Sequence, residues 1–242
     1  TGLDRVPLLD SLAHKVIVPY IIIPVALTLL SIRLKFIHLP DVDTDKEEDT
    51  AAANGSHKTA WYQFPHLWLG FVTLFLYVGV EVMAGDTIIL YGLSQDIPLA
   101  TARTFTTFTL LAMVAGYIIG IVTIPRFISQ SKALAISAVL GVLFALAAIF
   151  TSGITSVAFI ALLGLSNAIM WPAIFPLAIA DLGKFTKAGS ALLIMGIAGG
   201  ALIPLGYGQL VELFGNQQAY WLMVPIYLFI LYFAVKGHKI RS

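Results

Sequence analysis

One carboxylate stands inside an otherwise apolar stretch of the chain. Glu81 interrupts the sequence FLYVGVEVMAGDTIILYGL, residues 75–93, with Tyr77 four residues before it and Gly85 four residues after it. A helix over 67–90 would put Glu81 about 4 Å along the axis from the bilayer centre, where a charge that faces lipid costs about 2.5 to 3.5 kcal/mol. The sequence therefore predicts that Glu81 faces protein or a water-filled cavity. There it could accept ligand hydroxyls, hold a cation, carry a proton, or be a structural carboxyl between helices.

A second polar group, Asn167, lies in an apolar segment with Trp171 four residues later. On a helix the two share a face, which would present an amide that donates and accepts hydrogen bonds beside a flat apolar ring. That pairing suits a sugar, and a hydrogen bond between helices beside a packing tryptophan explains it equally well. Asp86 and Gln209 are weaker candidates for a binding site, because both lie nearer the outer ends of their helices.

Other chemistry is absent from the sequence. There is no phosphate-binding loop, His-based zinc motif, nucleophile elbow or dinucleotide loop. The chain has no cysteines, and its net charge of +1 gives no electrostatic reason for a nucleic-acid partner. We therefore expect neither an enzyme nor a protein with a bound metal or organic cofactor.

The composition places these residues in a lipid bilayer. Of 242 residues, 59% are hydrophobic and 11% charged, against roughly 25% charged in soluble domains. Uncharged runs that match a spanning helix of about 20 residues predict seven spans. They lie at 16–32, at 66–93, at 104–125, at 133–180 as two helices joined near 151–156, and at 188–211 and 213–235 as a pair.

The predicted spans are unevenly spaced. Residues 38–65 include six carboxylates between Asp41 and Asp49, and such a segment is expected to be a solvated linker. The predicted organisation is therefore one helix in 1–37, a linker in 38–65 and a six-helix bundle in 66–242. Because the sequence begins at Thr1 and a lone span precedes the linker, we expect a part of a longer protein.

Basic residues predict the orientation of the six-helix bundle. One set of short loops and the C-terminal tail carry seven Lys and Arg residues, whereas the opposite loops carry only Arg103. The positive-inside rule puts the basic side, the linker and the C-terminus in the cytoplasm. The seven residues are Arg126, Lys132, Lys184, Lys187, Lys236, Lys239 and Arg241.

Small residues and prolines predict how the helices meet. Gly116 with Gly120, and Gly196 with Gly200, have the four-residue spacing that lets helix backbones approach in lipid, so we interpret them as packing faces. Three prolines inside predicted spans should kink them, and bent helices often border the cavity of a transporter. The prolines are Pro172, Pro176 and Pro204.

Three segments of the bundle resemble a known family. LYVGVEVMAGDTIILYGL (76–93), PRFISQSKALA (125–135) and the block from 164 to 208 that begins GLSNAIMWPAIFPLAIADLGKFTKAGS are similar to the C-terminal half of the fucose, glucose and galactose permeases of the major facilitator superfamily. The first helix and the acidic linker resemble that family's sixth span and central cytoplasmic loop. The resemblance implies an all-α integral membrane protein that holds spans six to twelve, with the N-terminal bundle as the missing partner.

The same resemblance implies a function. It implies a secondary transporter whose two bundles rock around a hexose such as glucose, galactose or fucose, driven by H⁺ or Na⁺, in the inner membrane of a bacterium. We expect Tyr77, Glu81, Asn167 and Trp171 to line the sugar cavity. The resemblance implies that the carboxylates that carry the proton in fucose permease lie in the missing half, and we expect Glu81, as a carboxylate near mid-membrane, to take part in cation coupling in this chain. The alternative is a membrane protein that does not transport, such as a sensor or a half-size bundle that acts as an oligomer.

The cytoplasmic gate of the permease is less well matched. Relatives have a Gly-Arg pair in the basic loop, where this chain has Gly120 and Ile121. That difference leaves Arg126 as the predicted gate charge.

Overall fold

The computed structural model describes residues 60–240 continuously and, before them, positions 17, 21–22, 24–25, 27–29 and 32–33. Contacts divide the chain into two units, 1–46 and 47–242. The described positions of the first unit are helical. Nine of the 17 positions of the predicted first span, 16–32, are described, and all nine are helical. The predicted linker, 38–65, is described only from residue 60 onward, so the linker and the full length of the first span stay predictions.

From residue 60 onward the chain is helical. Short 3₁₀ helices flank or interrupt the α-helices at Trp61–Gln63, Gly183–Phe185, Gly196–Ala198, Tyr220–Leu222 and Gly237–Lys239. The α-helices are α1 (Pro65–Asp86), α2 (Ile88–Ser94), α3 (Leu99–Thr123), α4 (Gln130–Phe150), α5 (Gly153–Asn167), α6 (Met170–Ile179), α7 (Thr186–Met195), α8 (Gly199–Phe214), α9 (Asn216–Ala219) and α10 (Met223–Val235).

Within the described part of the chain, six stretches are long and apolar enough to cross a membrane. They are Pro65–Asp86, Leu99–Thr123, Gln130–Phe150, Gly153–Ile179, Gly183–Phe214 and Asn216–Lys239. These stretches confirm six membrane-capable helices in the region 66–242, with turns near residues 151 and 215 as expected. α1 is central in this bundle, because it packs against α3, α5, α6, α8 and α10.

The predicted span 66–93 is two helices rather than one. α1 ends at Asp86 and α2 begins at Ile88, with Thr87 between them. The Thr87 Oγ1 donates to the carbonyl oxygen of Met83 at 2.6 Å, and it lies 2.7 Å from the hydroxyl oxygen of Tyr220. A hydroxyl that bonds back to the preceding turn bends helices, and Thr87 also belongs to a tertiary contact that the sequence does not reveal.

The span Gly153–Ile179 also breaks, between the end of α5 at Asn167 and the start of α6 at Met170. Pro172 explains this break, since it has no N–H for the carbonyl of Ala168 and its ring crowds that carbonyl. Pro176 and Pro204 lie inside α6 and α8, which continue through them.

The glycines of α3 lie against the break in the neighbouring span. A Cβ added at Gly116 would clash with Ala168, and one at Gly120 would clash with Ile169. The predicted packing role of this pair is confirmed, and it fixes the rotation of α3 against α5 and α6.

The second glycine group lies against α1. A Cβ at Gly196 would meet the backbone of α1 at 3.4 Å, and one at Gly200 would meet the side chain of Val78 at 3.0 Å. Gly199 is tighter still, because a Cβ there would overlap the carbonyl of Phe75. This second predicted packing face is therefore confirmed, with Gly199 as its closest point.

Hydrogen bonds tie the spans together at both ends of the bundle. At one end, Nε2 of His66 donates to the carbonyl oxygen of Ala180 at 2.8 Å. At the opposite end, Nε2 of Gln217 donates to the carbonyl oxygen of Thr151 at 2.6 Å. The start of α1 and the ends of α3, α6 and α10 lie at the first end. We call it the basic end, because the lysines and arginines that follow these helices lie there.

Candidate functional site

Tyr77 and Glu81 form a hydrogen-bonded pair on α1. The Tyr77 hydroxyl donates to Oε1 of Glu81, and the two oxygens lie 2.7 Å apart. Tyr77 is fully buried and Glu81 is half-buried. A Cβ at Gly85 would meet nothing within 4 Å, so the open space predicted beside the carboxylate is present. Oε2 of Glu81 makes no hydrogen bond to any described residue, and it is the oxygen left for a ligand.

A second polar pair joins α5 to α10. The Tyr227 hydroxyl donates to Oδ1 of Asn167 at 2.9 Å, and both side chains are buried. The Tyr227 ring packs over Gly141 of α4. Nδ2 of Asn167 is buried without a hydrogen-bond partner among residues 60–240. The structure thus gives Asn167 a hydrogen bond between helices and leaves its amide donor for a further partner.

The Asn167–Tyr227 pair lies near the middle of the bundle. Asn167 and Tyr227 are within one residue of the midpoints of the spans Gly153–Ile179 and Asn216–Lys239. The Glu81 carboxylate interacts electrostatically with the Tyr227 phenol. Because α1 ends at Asp86, Glu81 lies five to six residues past the midpoint of Pro65–Asp86, which is about 8 Å along the axis at 1.5 Å per residue, rather than the predicted 4 Å.

The helix break also separates Asn167 from Trp171. A spacing of four residues puts two side chains on one face only in a continuous helix. Asn167 binds Tyr227, whereas the half-buried Trp171 stacks on Phe175 with ring centroids 6.3 Å apart and planes 21° from parallel. The shared amide and aromatic face expected from the sequence is thus divided between two short helices.

The weaker candidates lie at the surface of the bundle. Asp86, at the end of α1, and Gln209, on α8, are both exposed. Arg126 is exposed in the turn after α3, with its guanidinium carbon 5.5 Å from the centroid of the Phe127 ring. Arg126 therefore lies at the basic end, where a gate charge was predicted.

Sequence reasoning missed Tyr117. Tyr117 lies on α3 beside the packing glycine Gly116, it is 40% exposed, and its phenol interacts electrostatically with Glu81 and Tyr77. It also lines a cavity of about 270 Å³ between α3 and α6. Its position next to a packing glycine was the available signal, because a residue adjacent to such a face is held at a fixed angle to the neighbouring helix.

A separate polar cluster holds α2 at the end opposite the basic end. Ser156 donates to the carbonyl oxygen of Ala148 at 2.6 Å, so the Tyr91 hydroxyl must donate to Ser156, with the two oxygens 2.5 Å apart. Thr87 likewise gives its proton to Met83 and accepts from Tyr220. The rings of Tyr91 and Tyr220 meet edge to face at 4.8 Å. These buried contacts fix the outer half of the broken span.

The geometry around Glu81 suits a neutral ligand with many hydroxyls. A half-buried carboxylate oxygen accepts strong hydrogen bonds, and the tyrosine rings offer flat apolar faces with a polar edge. The same oxygen could also hold a small cation or a proton.

Comparisons with known proteins identify relatives of the chain. No family model matches it. It is 33% identical over 228 residues to the glucose/galactose transporter of Brucella abortus, covering 91% of this chain and 53% of that protein. It is 28% identical over 212 residues to the L-fucose-proton symporter of Escherichia coli, covering 85% of this chain and 48% of that protein. The chain thus spans about half the length of these relatives.

A solved structure shares the fold. The major facilitator superfamily transporter FucP, in its outward conformation, matches with a TM-score of 0.77 at 24% identity, over 90% of this chain and 53% of that one. Together these similarities confirm the resemblance and the major facilitator fold predicted from the sequence. The relatives are named as transporters, as expected for a chain without catalytic motifs.

Proposed function

The chain is a homologue of the glucose/galactose and fucose permeases of the major facilitator superfamily and corresponds to their C-terminal half, and on this premise we propose that it is part of a cation-coupled hexose transporter. In this proposal the chain supplies one wall of a sugar site, and H⁺ or Na⁺ drives uptake. Its proposed surroundings are the lipid bilayer, and its proposed substrate is a monosaccharide.

The Tyr77–Glu81 pair carries this proposal. Facing lipid, the carboxylate would be costly near mid-membrane, yet it is only half-buried and its Oε1 is held by Tyr77. A purely structural carboxyl is expected to be fully enclosed by helices that satisfy both of its oxygens. Oε2 instead makes no hydrogen bond to a described residue, and a sugar hydroxyl, Na⁺ or a proton is its proposed partner.

The other residues of the proposed site are assigned roles around the Tyr77–Glu81 pair. Asn167 contributes the donor Nδ2, and Trp171 contributes an aromatic face beyond the helix break. Asp86 and Gln209 are proposed as outer contacts of the sugar, and Arg126 as the charge of the gate at the basic end.

A second bundle is the proposed partner, because two spans of this one are poorly covered. Leu99–Thr123 is 22% buried and Gly183–Phe214 is 28% buried, whereas the other four spans are 44% to 61% buried. Leu99–Thr123 also carries Tyr117, which faces the Glu81 centre. We propose that the N-terminal bundle of the same transporter covers these two spans and closes the sugar site.

The basic end sets the proposed orientation. Lys and Arg side chains near span ends are retained in the cytoplasm. The cluster of Lys and Arg residues at that end therefore supports the proposal of a multi-pass protein of a bacterial inner membrane, with its C-terminus and the linker in the cytoplasm.

Counterflow in proteoliposomes tests the proposed function. The full-length gene product that contains this chain is loaded with unlabelled glucose, galactose or fucose, and the entry of labelled sugar is followed at several pH values with and without Na⁺. Saturable counterflow of at least one hexose, with uptake that depends on H⁺ or Na⁺, is the expected result. A protein that is folded and inserted but exchanges none of the hexoses contradicts the proposal and favours a membrane protein without transport activity.

A further inference from the structure

We infer that Tyr117 is a further sugar-contacting residue, which binds the sugar between Glu81 and the basic end of the bundle. This inference rests on the proposed function, and it adds a residue on α3 to a site otherwise built on the spans of α1 and of α5 and α6.

The backbone position of Tyr117 is fixed by packing. Its neighbour Gly116 lies against Ala168, and Gly120 lies against Ile169. These contacts press α3 onto the break between α5 and α6, where neither glycine can accept a side chain. The direction in which Tyr117 leaves α3 is therefore set by the fold rather than by a mobile loop.

Tyr117 lies on the side of Glu81 that leads to the basic end. It is six residues past the midpoint of Leu99–Thr123, which is about 9 Å along the axis at 1.5 Å per residue. Its phenol still interacts electrostatically with Glu81 and with Tyr77. Tyr117 therefore lies within electrostatic range of the hydrogen-bonded Tyr77–Glu81 pair, on its basic-end side.

The exposure of Tyr117 suits a ligand contact. Its side chain is 40% exposed, whereas Tyr77 and Tyr227, the other phenols near Glu81, are fully buried. A tyrosine offers a flat apolar face and a hydroxyl that donates and accepts hydrogen bonds. Of the three phenols it is therefore the one that a sugar can reach.

A cavity continues from Tyr117 toward the basic end. Its volume is about 270 Å³, close to the lower limit of small-molecule sites, which is roughly 300 Å³. Its walls are apolar apart from the Tyr117 hydroxyl and the Gln130 amide. Nε2 of Gln130 donates to the carbonyl oxygen of Pro172 at 3.0 Å. This hydrogen bond holds the amide in place beside the first turn of α6. Tyr117 is the lining residue of this cavity that also interacts electrostatically with Glu81.

Substitution of Tyr117 by Phe tests this inference in the full-length gene product. Tyr117→Phe removes one hydroxyl and keeps the ring, so the fold should be retained. Tyr232→Phe is the matched control, because Tyr232 is 42% exposed on α10 and has its ring beside Phe229 rather than near Glu81. We expect Tyr117→Phe to raise the half-saturating hexose concentration in counterflow by roughly two- to tenfold, as the loss of one hydrogen bond predicts. We expect Tyr232→Phe to match the parent protein.

A labelling experiment provides a second readout if Tyr117→Phe is poorly inserted. This chain contains no cysteine, so a cysteine introduced here adds the only thiol within it. After removal of any cysteines from the rest of the gene product, a saturating hexose should slow the reaction of Tyr117→Cys with a small maleimide at least threefold. The same hexose should leave the labelling of Tyr232→Cys unchanged.

The outcomes separate this inference from the proposed function. A parent protein that exchanges no hexose overturns the proposed function and this inference with it. A parent that exchanges hexose, with the half-saturating concentration of Tyr117→Phe unchanged or shifted equally in Tyr232→Phe, overturns the inference alone. If labelling must decide, the absence of hexose protection at Tyr117→Cys overturns it in the same way.

Discussion

The Tyr77 hydroxyl holds Oε1 of Glu81 at 2.7 Å across one turn of α1. Because Tyr77 is fully buried, it cannot follow the carboxylate if Glu81 changes rotamer. The contact therefore restrains the orientation of Glu81 and leaves Oε2 without a hydrogen bond to the described residues. Tyr77 is thus a positioning residue for the carboxylate.

Loss of the Tyr77 hydroxyl should weaken sugar binding through Glu81. In the full-length gene product, Tyr77→Phe is expected to raise the half-saturating hexose concentration in counterflow roughly two- to tenfold, the effect of one lost hydrogen bond. The control is Tyr62→Phe, because Tyr62 is 61% exposed and precedes α1. Equal half-saturation in the two variants would show that Glu81 is oriented by other contacts.

The Tyr227–Asn167 pair should contribute to the stability of the bundle. Tyr227→Phe leaves Oδ1 of Asn167 buried without a donor, which costs about 1 to 3 kcal/mol of the free energy of unfolding. Asn167→Leu removes the Oδ1 acceptor of the Tyr227 hydroxyl and leaves Ser166 as its remaining side-chain partner, so this variant should be the less destabilised of the two. Thermal unfolding of the purified protein in detergent should therefore show a lower midpoint for each single variant.

The double variant Tyr227→Phe with Asn167→Leu is the control for that prediction. Replacing both partners removes the stranded polar groups, so the double variant should be less destabilised than the sum of the single variants. Strict additivity would mean that the two side chains do not depend on each other.

Gly199 should tolerate no side chain, whereas Gly208 on the same helix should. A Cβ at Gly199 would overlap the backbone carbonyl of Phe75 on α1, and a Cβ at Gly208 would meet nothing within 4 Å. Gly199→Ala should separate α8 from α1 and lower the yield of folded protein and its unfolding midpoint. Gly208→Ala should be neutral or slightly stabilising, because alanine favours a helix over glycine. Fluorescence-detected size-exclusion chromatography compares the two variants, and equal profiles would contradict the packing described.

The six spans could be predicted from the sequence because lipid offers the backbone no hydrogen-bond partners, so an apolar run of sufficient length must be helical. The Tyr77–Glu81 contact was also accessible, since it depends only on helix spacing. The break before Pro172 follows from local chemistry as well.

Other features depend on contacts between distant segments. Thr87 interrupts its span while its hydroxyl meets Tyr220, which lies 133 residues later. Asn167 binds Tyr227 from another helix, and that contact, together with the break after Asn167, divides the face it was expected to share with Trp171. These two contacts have no signature in hydropathy or spacing. The position of Tyr117 depends on the packing of α3 onto α5 and α6, for which the spacing of Gly116 and Gly120 was the one signal in the sequence.

The most direct test of the account is hexose counterflow by Glu81→Gln in the full-length gene product, measured across pH and Na⁺ concentration. Glutamine keeps the shape of the side chain and can still accept from Tyr77, but it carries no charge. The control is Glu212→Gln, because Glu212 is exposed on α8. We expect Glu81→Gln to reduce counterflow about tenfold or more, in line with the loss of a charge-assisted hydrogen bond, or to abolish its ion dependence, while Glu212→Gln matches the parent. Counterflow that is unchanged at every pH and Na⁺ concentration would contradict the account and make Glu81 a structural carboxyl.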